Sequence, residues 1–571
     1  MVRSFDEHIK RKVVSLDGMW RYLCDEKNLG CDNGWQNGIP DGKTAVVPSV
    51  WNTEFGMLGY EGVVWYEKDF SVSGGTLRFV FEGIMTYSKI YLDGELIAEH
   101  YGGFDAFDAI VPNVRNGNHK LVIRVDNSFD VNSIPQSFVD WYHYGGIIRS
   151  VSLETLSSVS ILSAKFQYVL NENMSDAICR LDIGLYNSTQ HDKTVPVSVY
   201  FNGVKVSETP VTIGGGQIMS FRSPEFIVGN VSLWDTDSPK LYEFCVVTDM
   251  DDLKDRVGFR RIEAKDGKLL LNGKAVQLRG VNRHEEHPEF GFAFPSALMM
   301  RDISIIKDLG CNTIRGSHYP NSKLFIDLLD ENGILFWSEI PIWGTGFTAE
   351  AIGRKEIVDR GYSMLKSMID NYYNHPSIIL WGMHNEIPSN TNEALAMTEK
   401  YFPLLKDQGG PRLVTYATDK PLTDVCLKYC DVISINQYIG WYGGSMVEWP
   451  AFLDKFRARR SELGLDNVPV IMSEFGGAAI YGHHTFDNVH WTEEYQAELL
   501  SYTLELFNRD PMIVGTYVWQ FTDIRTCLEA GINRARGFNN KGILNEYRKP
   551  KQAYFAVKKA YCAFAEEETD A

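Results

Sequence analysis

Through the first quarter of the chain, hydrophobic and polar positions alternate in short runs, as in Thr76-Leu-Arg-Phe-Val-Phe-Glu82, Ser88-Lys-Ile-Tyr-Leu92 and His119-Lys-Leu-Val-Ile-Arg-Val125. A period of two places successive side chains on opposite faces of a strand, so these runs predict half-buried β-structure. Asp93-Gly94, directly after the second run, marks a tight hairpin. Many short strands with little helical periodicity predict a β jelly-roll sandwich over residues 1–157. A second β segment, residues 158–264, carries the runs Ala177–Leu185, Val195–Phe201 and Tyr242–Thr248. About seven strands in roughly 100 residues fit an immunoglobulin-like β-sandwich.

From about residue 265 the pattern changes. Apolar runs at Ala275–Gly280, Thr313–Gly316, Leu335–Ile340, Ile378–Gly382, Leu413–Tyr416, Val432–Ile435, Val468–Met472 and Thr516–Trp519 now alternate with amphipathic stretches. Examples of the latter are Leu298–Leu309, Lys323–Glu331, Ile357–Asn371 and Glu493–Leu506. Eight β units separated by helices predict a C-terminal (β/α)8 TIM barrel over residues 265–571. A doubly wound open sheet is the rival. It is disfavoured because no Gly-x-Gly-x-x-Gly turn follows any of the strands.

Three domains suit a length of 571 residues. The net charge of −18 and a pI near 5.3 argue against a nucleic-acid partner or an anionic membrane surface. The 13 Trp and 28 Tyr suit rings stacked on sugars or large β cores. Nine scattered cysteines lack a paired zinc spacing and read as reduced core thiols. Met1-Val-Arg-Ser-Phe-Asp-Glu-His has no apolar leader core, and no run is long enough to span a bilayer. A soluble, cytoplasmic protein is the expectation.

Barrel chemistry sits where strands end and βα loops begin. Those places hold Asn282-Arg-His-Glu-Glu-His-Pro288, Arg315-Gly-Ser-His-Tyr-Pro320, Glu339, Trp381-Gly-Met-His-Asn-Glu386, Asn436-Gln-Tyr-Ile-Gly-Trp-Tyr442, Ser473-Glu474 and Trp519-Gln-Phe-Thr-Asp523. Barrel interiors are normally filled by branched apolar side chains, so polar groups at nearly every end point to a site. Glu386 and Glu474 end strands four and seven, across the barrel from one another. Two facing carboxyls can bracket a glycosidic bond, one protonating the leaving oxygen and the other attacking the anomeric carbon or activating water. His284, His287 and His318 invite a metal reading, but the His-x-x-His spacing lies in a loop and lacks the zincin arrangement. Neutral rings donating to sugar hydroxyls are the better reading, with neither metal nor cofactor.

These segments, in this order, resemble glycoside hydrolase family 2. Gly280-Val-Asn-Arg-His-Glu285 is similar to its first barrel segment, Trp381–Glu386 to its acid/base signature and Met472-Ser-Glu-Phe-Gly476 to its nucleophile segment. Within the family the stretches Asn436–Tyr442, Trp491–Tyr495, Gly531–Arg534, Asn539–Gly542 and Arg548–Lys551 resemble the β-glucuronidases. The resemblance implies that Glu386 is the acid/base, Glu474 the nucleophile and Asn385 the partner of the sugar 2-hydroxyl. It also implies that His284, His318, Trp519 and Tyr442 line the sugar pocket, that Tyr438 lies near the nucleophile, and that Asp140 reaches in from the first domain.

Asn539-x-Lys541 would grip the C6 carboxylate of a β-glucuronide, with Arg534 as a second cation. A uronate brings negative charge to a cavity that already holds a carboxylate, so a fixed cation must offset it. The Arg534 to Asn539 spacing is one residue longer than in the best-known bacterial members. The segment Pro341-Ile-Trp-Gly-Thr-Gly-Phe347 reaches a helix quickly, which implies an open mouth that admits larger or oligomeric glucuronides. A β-galacturonidase or β-galactosidase is the nearest alternative, and a catalytically inactive carbohydrate-binding protein the distant one. Relatives lead to the expectation of a homo-oligomer, dimer or tetramer.

Overall fold

A computed structural model describes residues 3–344 and 346–570. The first sandwich packs a four-stranded antiparallel sheet, with Gly75–Phe81 and Val151–Leu156 at its centre, on a six-stranded sheet centred on Val63–Val72 and Gly117–Asp126. Leu77, Phe79 and Phe81 from one sheet meet Leu121, Ile123 and Val125 from the other. The alternation blurs at Val122, because the outer face of the six-stranded sheet is also covered: Val122, Trp65 and Tyr91 pack under Ile39 and Trp35. Asp93 and Gly94 both have positive φ, +50° and +90°, as a two-residue turn matching the strand twist requires.

The second sandwich has eight strands rather than seven. Ile218–Arg222 and Phe226–Gly229 both pair with Asp176–Asn187. They are separated at Ser223-Pro224, where proline has no N–H to give the ladder. Ser223 Oγ instead accepts from the Leu181 amide at 2.9 Å.

The barrel closes with eight parallel strands in chain order: Leu278–Asn282, Thr313–Gly316, Leu335–Glu339, Ile378–Asn385, Leu413–Thr418, Ile433–Asn436, Val470–Phe475 and Ile513–Val518. The first begins three residues later than expected, because Lys274–Ala275 belongs to a small sheet with Ile262–Lys265 and Lys268–Leu271. The Asn272-Gly273 turn, φ +53° and +77°, folds that hairpin. Ile262, Leu269 and Leu271 bury against Leu278, Leu335 and Leu413, the first residues of three barrel strands. The small sheet thus plugs the amino-terminal end and leaves the carboxyl end for the site. The fifth connection carries a 3-10 turn, Leu427–Tyr429, in place of a long helix.

The first sandwich reaches that carboxyl end through residues 127–147. Trp141, Tyr142 and Tyr144 bury with Phe292, Tyr319 and Trp343 of the barrel loops. Tyr144 OH donates to Glu286 Oε1 at 2.6 Å and Arg149 pairs with Glu285 at 3.0 Å, both in buried surroundings. Apolar packing and these two polar contacts hold the loop and the residues just after it against the barrel. All nine cysteines are unpaired, and five of them are buried, but Cys31 is exposed and is no core thiol. Among the described residues no helix is long and apolar enough to cross a membrane.

Candidate active site

A cavity of about 490 Å³ opens at the carboxyl ends of the strands, lined by Asp140, Trp343, Glu386, Asp419, Asn436, Gln437, Tyr438, Ile439, Tyr442, Gly443, Glu474 and Trp519. Both glutamates stand at breaks in strand register. The fourth strand is offset from the fifth between Gly382 and Asn385, and the seventh from the eighth between Met472 and Phe475. Such bulges re-aim side chains beside active sites. Glu386 itself sits at φ +52°, a conformation that costs a side-chain-bearing residue about 1–3 kcal/mol. Its amide is held by Ala417 O at 2.9 Å.

The two carboxyls differ in their surroundings. Among the described residues Glu386 accepts one side-chain hydrogen bond, from Asn436 Nδ2 at 2.8 Å. Burial, then the charges of Glu474 and Asp419, hold its pKa well above the usual carboxylate range. Glu474 accepts from Arg315 Nη1 and from Tyr438 OH, each at 2.7 Å. Burial pushes Glu474 up too, but Arg315 and Tyr438 oppose the shift by favouring the anion. One carboxyl is thus set to keep its proton and the other to stay charged.

Arg315 is the hub of the floor. It is fully buried, pairs with Glu339 through Nε at 3.0 Å and Nη2 at 2.9 Å, and donates to Asn385 Oδ1 at 2.6 Å and Asn282 Oδ1 at 3.1 Å. Its ring-like plane lies 4.5 Å from the Trp337 ring. Asn385 also accepts from Asn436 Nδ2 at 3.1 Å, while its own Nδ2 has no partner among the described residues. That is the atom the family resemblance assigns to a sugar hydroxyl.

Three other residues named from sequence gather at Asp140 and Tyr442, both of which line the cavity. Arg534 Nη2 reaches both oxygens of Asp140, at 2.8 and 2.7 Å, and Asn539 Nδ2 lies 3.5 Å from Asp140 Oδ2. Arg534 is therefore engaged by Asp140. Lys541 is 1% exposed; its ammonium donates to Tyr442 OH at 2.6 Å and lies 4.7 Å from the Tyr442 ring centroid. Among the described residues no carboxylate pairs with it.

His284 and His318 stand below Trp519, their ring centroids 5.6 and 5.2 Å from its ring. Burial, followed by neighbouring charges, holds both pKa values well below the ordinary histidine range, so both rings are neutral. The Nε2 atoms of both are buried and unpartnered. His318 Nδ1 meets Glu339 Oε1 at 2.7 Å, which gives that nitrogen the proton and leaves Nε2 as an acceptor. His287 lies elsewhere, against Phe290 and Tyr547.

Six of the twelve residues named from sequence line the cavity: Asp140, Glu386, Tyr438, Tyr442, Glu474 and Trp519. Each of the other six bonds to or packs on one that does, or on a residue bonded to one: Asn385 through Asn436, His284 and His318 through Trp519, Arg534 and Asn539 through Asp140, Lys541 through Tyr442. Sequence reasoning did not single out Arg315, Trp343, Asn436 or Gln437, although each stood in a strand-end segment. Asp419 was missed outright. It follows the last residue of the fifth strand, the one end left without a polar candidate.

The family model for the TIM barrel domain of glycosyl hydrolases family 2 matches residues 262–566. The family's sugar binding domain matches 57–157, and a third family 2 model matches 159–260. A GH2 β-galacturonidase from Eisenbergiella tayi, solved bound to galacturonate, is similar at TM-score 0.92 and 33% identity, over 99% of both chains. The β-glucuronidase from Ruminococcus gnavus in complex with D-glucuronic acid is similar at TM-score 0.86 and 27% identity, over 98% of this chain and 99% of that one. The β-glucuronidase of Streptococcus agalactiae is 26% identical over 96% of each chain. A closed barrel, a paired-carboxyl cavity at its carboxyl end and models matched from residue 57 to residue 566 lead to one conclusion: the chain belongs to glycosyl hydrolase family 2 and is a glycoside hydrolase.

Proposed function

We propose that the protein is a retaining, exo-acting β-glucuronidase that releases glucuronic acid from β-D-glucuronides. The observation that carries this reading is Lys541. A buried ammonium that meets a tyrosine hydroxyl and two ring faces, with no carboxylate paired to it among the described residues, is poorly compensated. A substrate carboxylate beside Tyr442 and Asn539 supplies the missing charge. A neutral sugar leaves it unanswered.

Glu474, kept anionic by Arg315 and Tyr438, attacks the anomeric carbon, and Glu386 gives its proton to the departing oxygen. Esterification removes the negative charge of Glu474, one of the causes that hold the Glu386 pKa high. Glu386, having given up its proton, then stays ionised because its pKa has fallen, and it takes the proton of the incoming water as base. The 2-hydroxyl of the sugar finds the unpartnered Nδ2 of Asn385.

A second reading, a β-galacturonidase with the same carboxylate grip and the opposite C4 preference, is favoured by the likeness to the Eisenbergiella tayi structure. A panel of para-nitrophenyl glycosides, varied at C4 and C6, tests both. The expected order in kcat/KM is glucuronide, then galacturonide, with both neutral hexosides far below. Galacturonide ahead of glucuronide exchanges the first reading for the second, and a neutral hexoside at the top refutes both. Proton NMR of the first-formed anomer tests retention: β-configured product supports it and α-configured product refutes it.

A further inference from the structure

The cavity wall beside Glu386 is unlike the uronate end. Glu386 sits between the loops that follow the third and fifth strands. On one flank, Asn385 is paired with the Trp343 segment: Asn385 N donates to Ile342 O at 2.9 Å and Gly344 N to Asn385 O at 2.7 Å. On the other, Asn385 is in register with Ala417, and the Glu386 amide donates to Ala417 O at 2.9 Å, two residues before Asp419. Trp343 and Asp419 both line the cavity. The Trp343 ring meets the Trp141 ring edge to face, at 5.4 Å between centroids.

Asp419 takes no part in the floor network. Its carboxylate is about one-third exposed and meets Lys420 Nζ at 2.5 and 2.7 Å. Gln437 Nε2 anchors the Asp419 main-chain oxygen at 2.9 Å and fixes the corner. The oxygen leaving the anomeric carbon departs past Glu386, the group that protonates it, so the leaving group comes to rest between Trp343 and Asp419. An indole face on one side and a fixed carboxylate with its neighbouring ammonium on the other are complementary to a sugar ring. The indole covers the apolar C–H face, and the carboxylate accepts from a pair of hydroxyls.

We infer that Asp419, opposite Trp343, forms a leaving-group subsite for a saccharide, so that Asp419 selects uronides linked to another sugar over those linked to an apolar aglycone. This rests on the uronidase reading above. The test compares wild type, Asp419→Asn and Asp419→Leu on a para-nitrophenyl uronide of the preferred C4 epimer and on a disaccharide with the same uronic acid β-linked to a hexose. Melting temperature monitors folding. In Asp419→Leu the ratio of kcat/KM, disaccharide over aryl uronide, is expected to fall about 10- to 100-fold, the loss of a charged hydrogen bond to a hydroxyl pair. Asp419→Asn, which keeps an acceptor, is expected to fall less. Removing the charge also lowers the Glu386 pKa, so the alkaline limb moves to lower pH on both substrates.

An unchanged ratio in a folded Asp419→Leu protein overturns the inference, and so does wild-type enzyme that cleaves the aryl uronide and leaves the disaccharide intact. If wild type cleaves neither uronide while cleaving a neutral aryl hexoside, the uronidase reading fails first and the Asp419 inference falls with it.

Discussion

Replacing Lys541 by methionine isolates the charge on which the uronate assignment depends. The side chain is 1% exposed, and methionine fills nearly the same volume, so packing against Tyr438 and Tyr442 is largely kept. Two unit charges ~4 Å apart attract by about 4 kcal/mol at an effective dielectric constant of ~20. Hydrogen bonds to charged groups contribute about 1.5–3 kcal/mol net once lost hydration is counted. A loss of about 2–4 kcal/mol in the transition-state complex corresponds to a fall in kcat/KM of roughly 30- to 800-fold for the uronide. For the para-nitrophenyl hexoside of the same C4 configuration the expected change is below about threefold, and a rise is allowed, because no charge on that substrate is deserted. The melting temperature should hold or increase, since a buried cation without an acidic partner is removed. Equal losses on uronide and hexoside, in a protein that melts normally, would refute the reasoning and leave Lys541 a structural residue.

Three further outcomes follow from the floor of the site. Glu474→Gln is expected to lower kcat at least ~1000-fold while uronic acid still binds, measured by calorimetry; turnover within tenfold of wild type would sink the nucleophile assignment. For Glu386 the folded-state pKa is raised, so the protonated form is the one that folding favours. Its contribution to stability is then full below the ordinary carboxylate range and is lost as pH rises through the raised pKa, and activity falls on the alkaline side through the same raised pKa. Glu386→Gln should therefore raise the melting temperature at neutral pH but not at pH ~4, and abolish the alkaline limb of kcat/KM; a stabilisation independent of pH contradicts this. Arg315→Met leaves Glu339 and Glu474 as buried carboxylates without their shared cation, at a cost of about 3–5 kcal/mol in denaturant unfolding. A loss below about 1 kcal/mol would show that the two acids are protonated already.

The parts of the site legible in sequence were those with a strand before them and a family motif around them. Glu386 and Glu474 close strands that begin as apolar runs, so their places were readable; the bulges that turn them inward were not, because a register shift leaves no compositional mark. Lys541 and Asn539 were readable as a pair, but their contact with Asp140 and Tyr442 joins positions about 400 and 100 residues apart in sequence, a relation only the closed barrel and the inserted sandwich loop establish. Arg315 looked like one polar residue among several at the end of the second strand. Its reach to Glu339, Glu474, Asn385 and Asn282 comes from four other strands meeting at the barrel axis. Asp419 stood after Tyr416-Ala-Thr with no flanking motif, and the strand was assigned two residues short of its end. The sandwich strands were readable by alternation wherever one face met water. They were least so at Val122 and Trp65, where segments outside the sheet bury the second face.

The most direct measurement is the structure of the enzyme with the preferred uronic acid bound. One C6 oxygen is expected within about 3 Å of Lys541 Nζ, with the anomeric carbon between the carboxyls of Glu386 and Glu474. A C6 carboxylate directed at Asp419, or out of the cavity, with Lys541 still resting on Tyr442 alone, would contradict it.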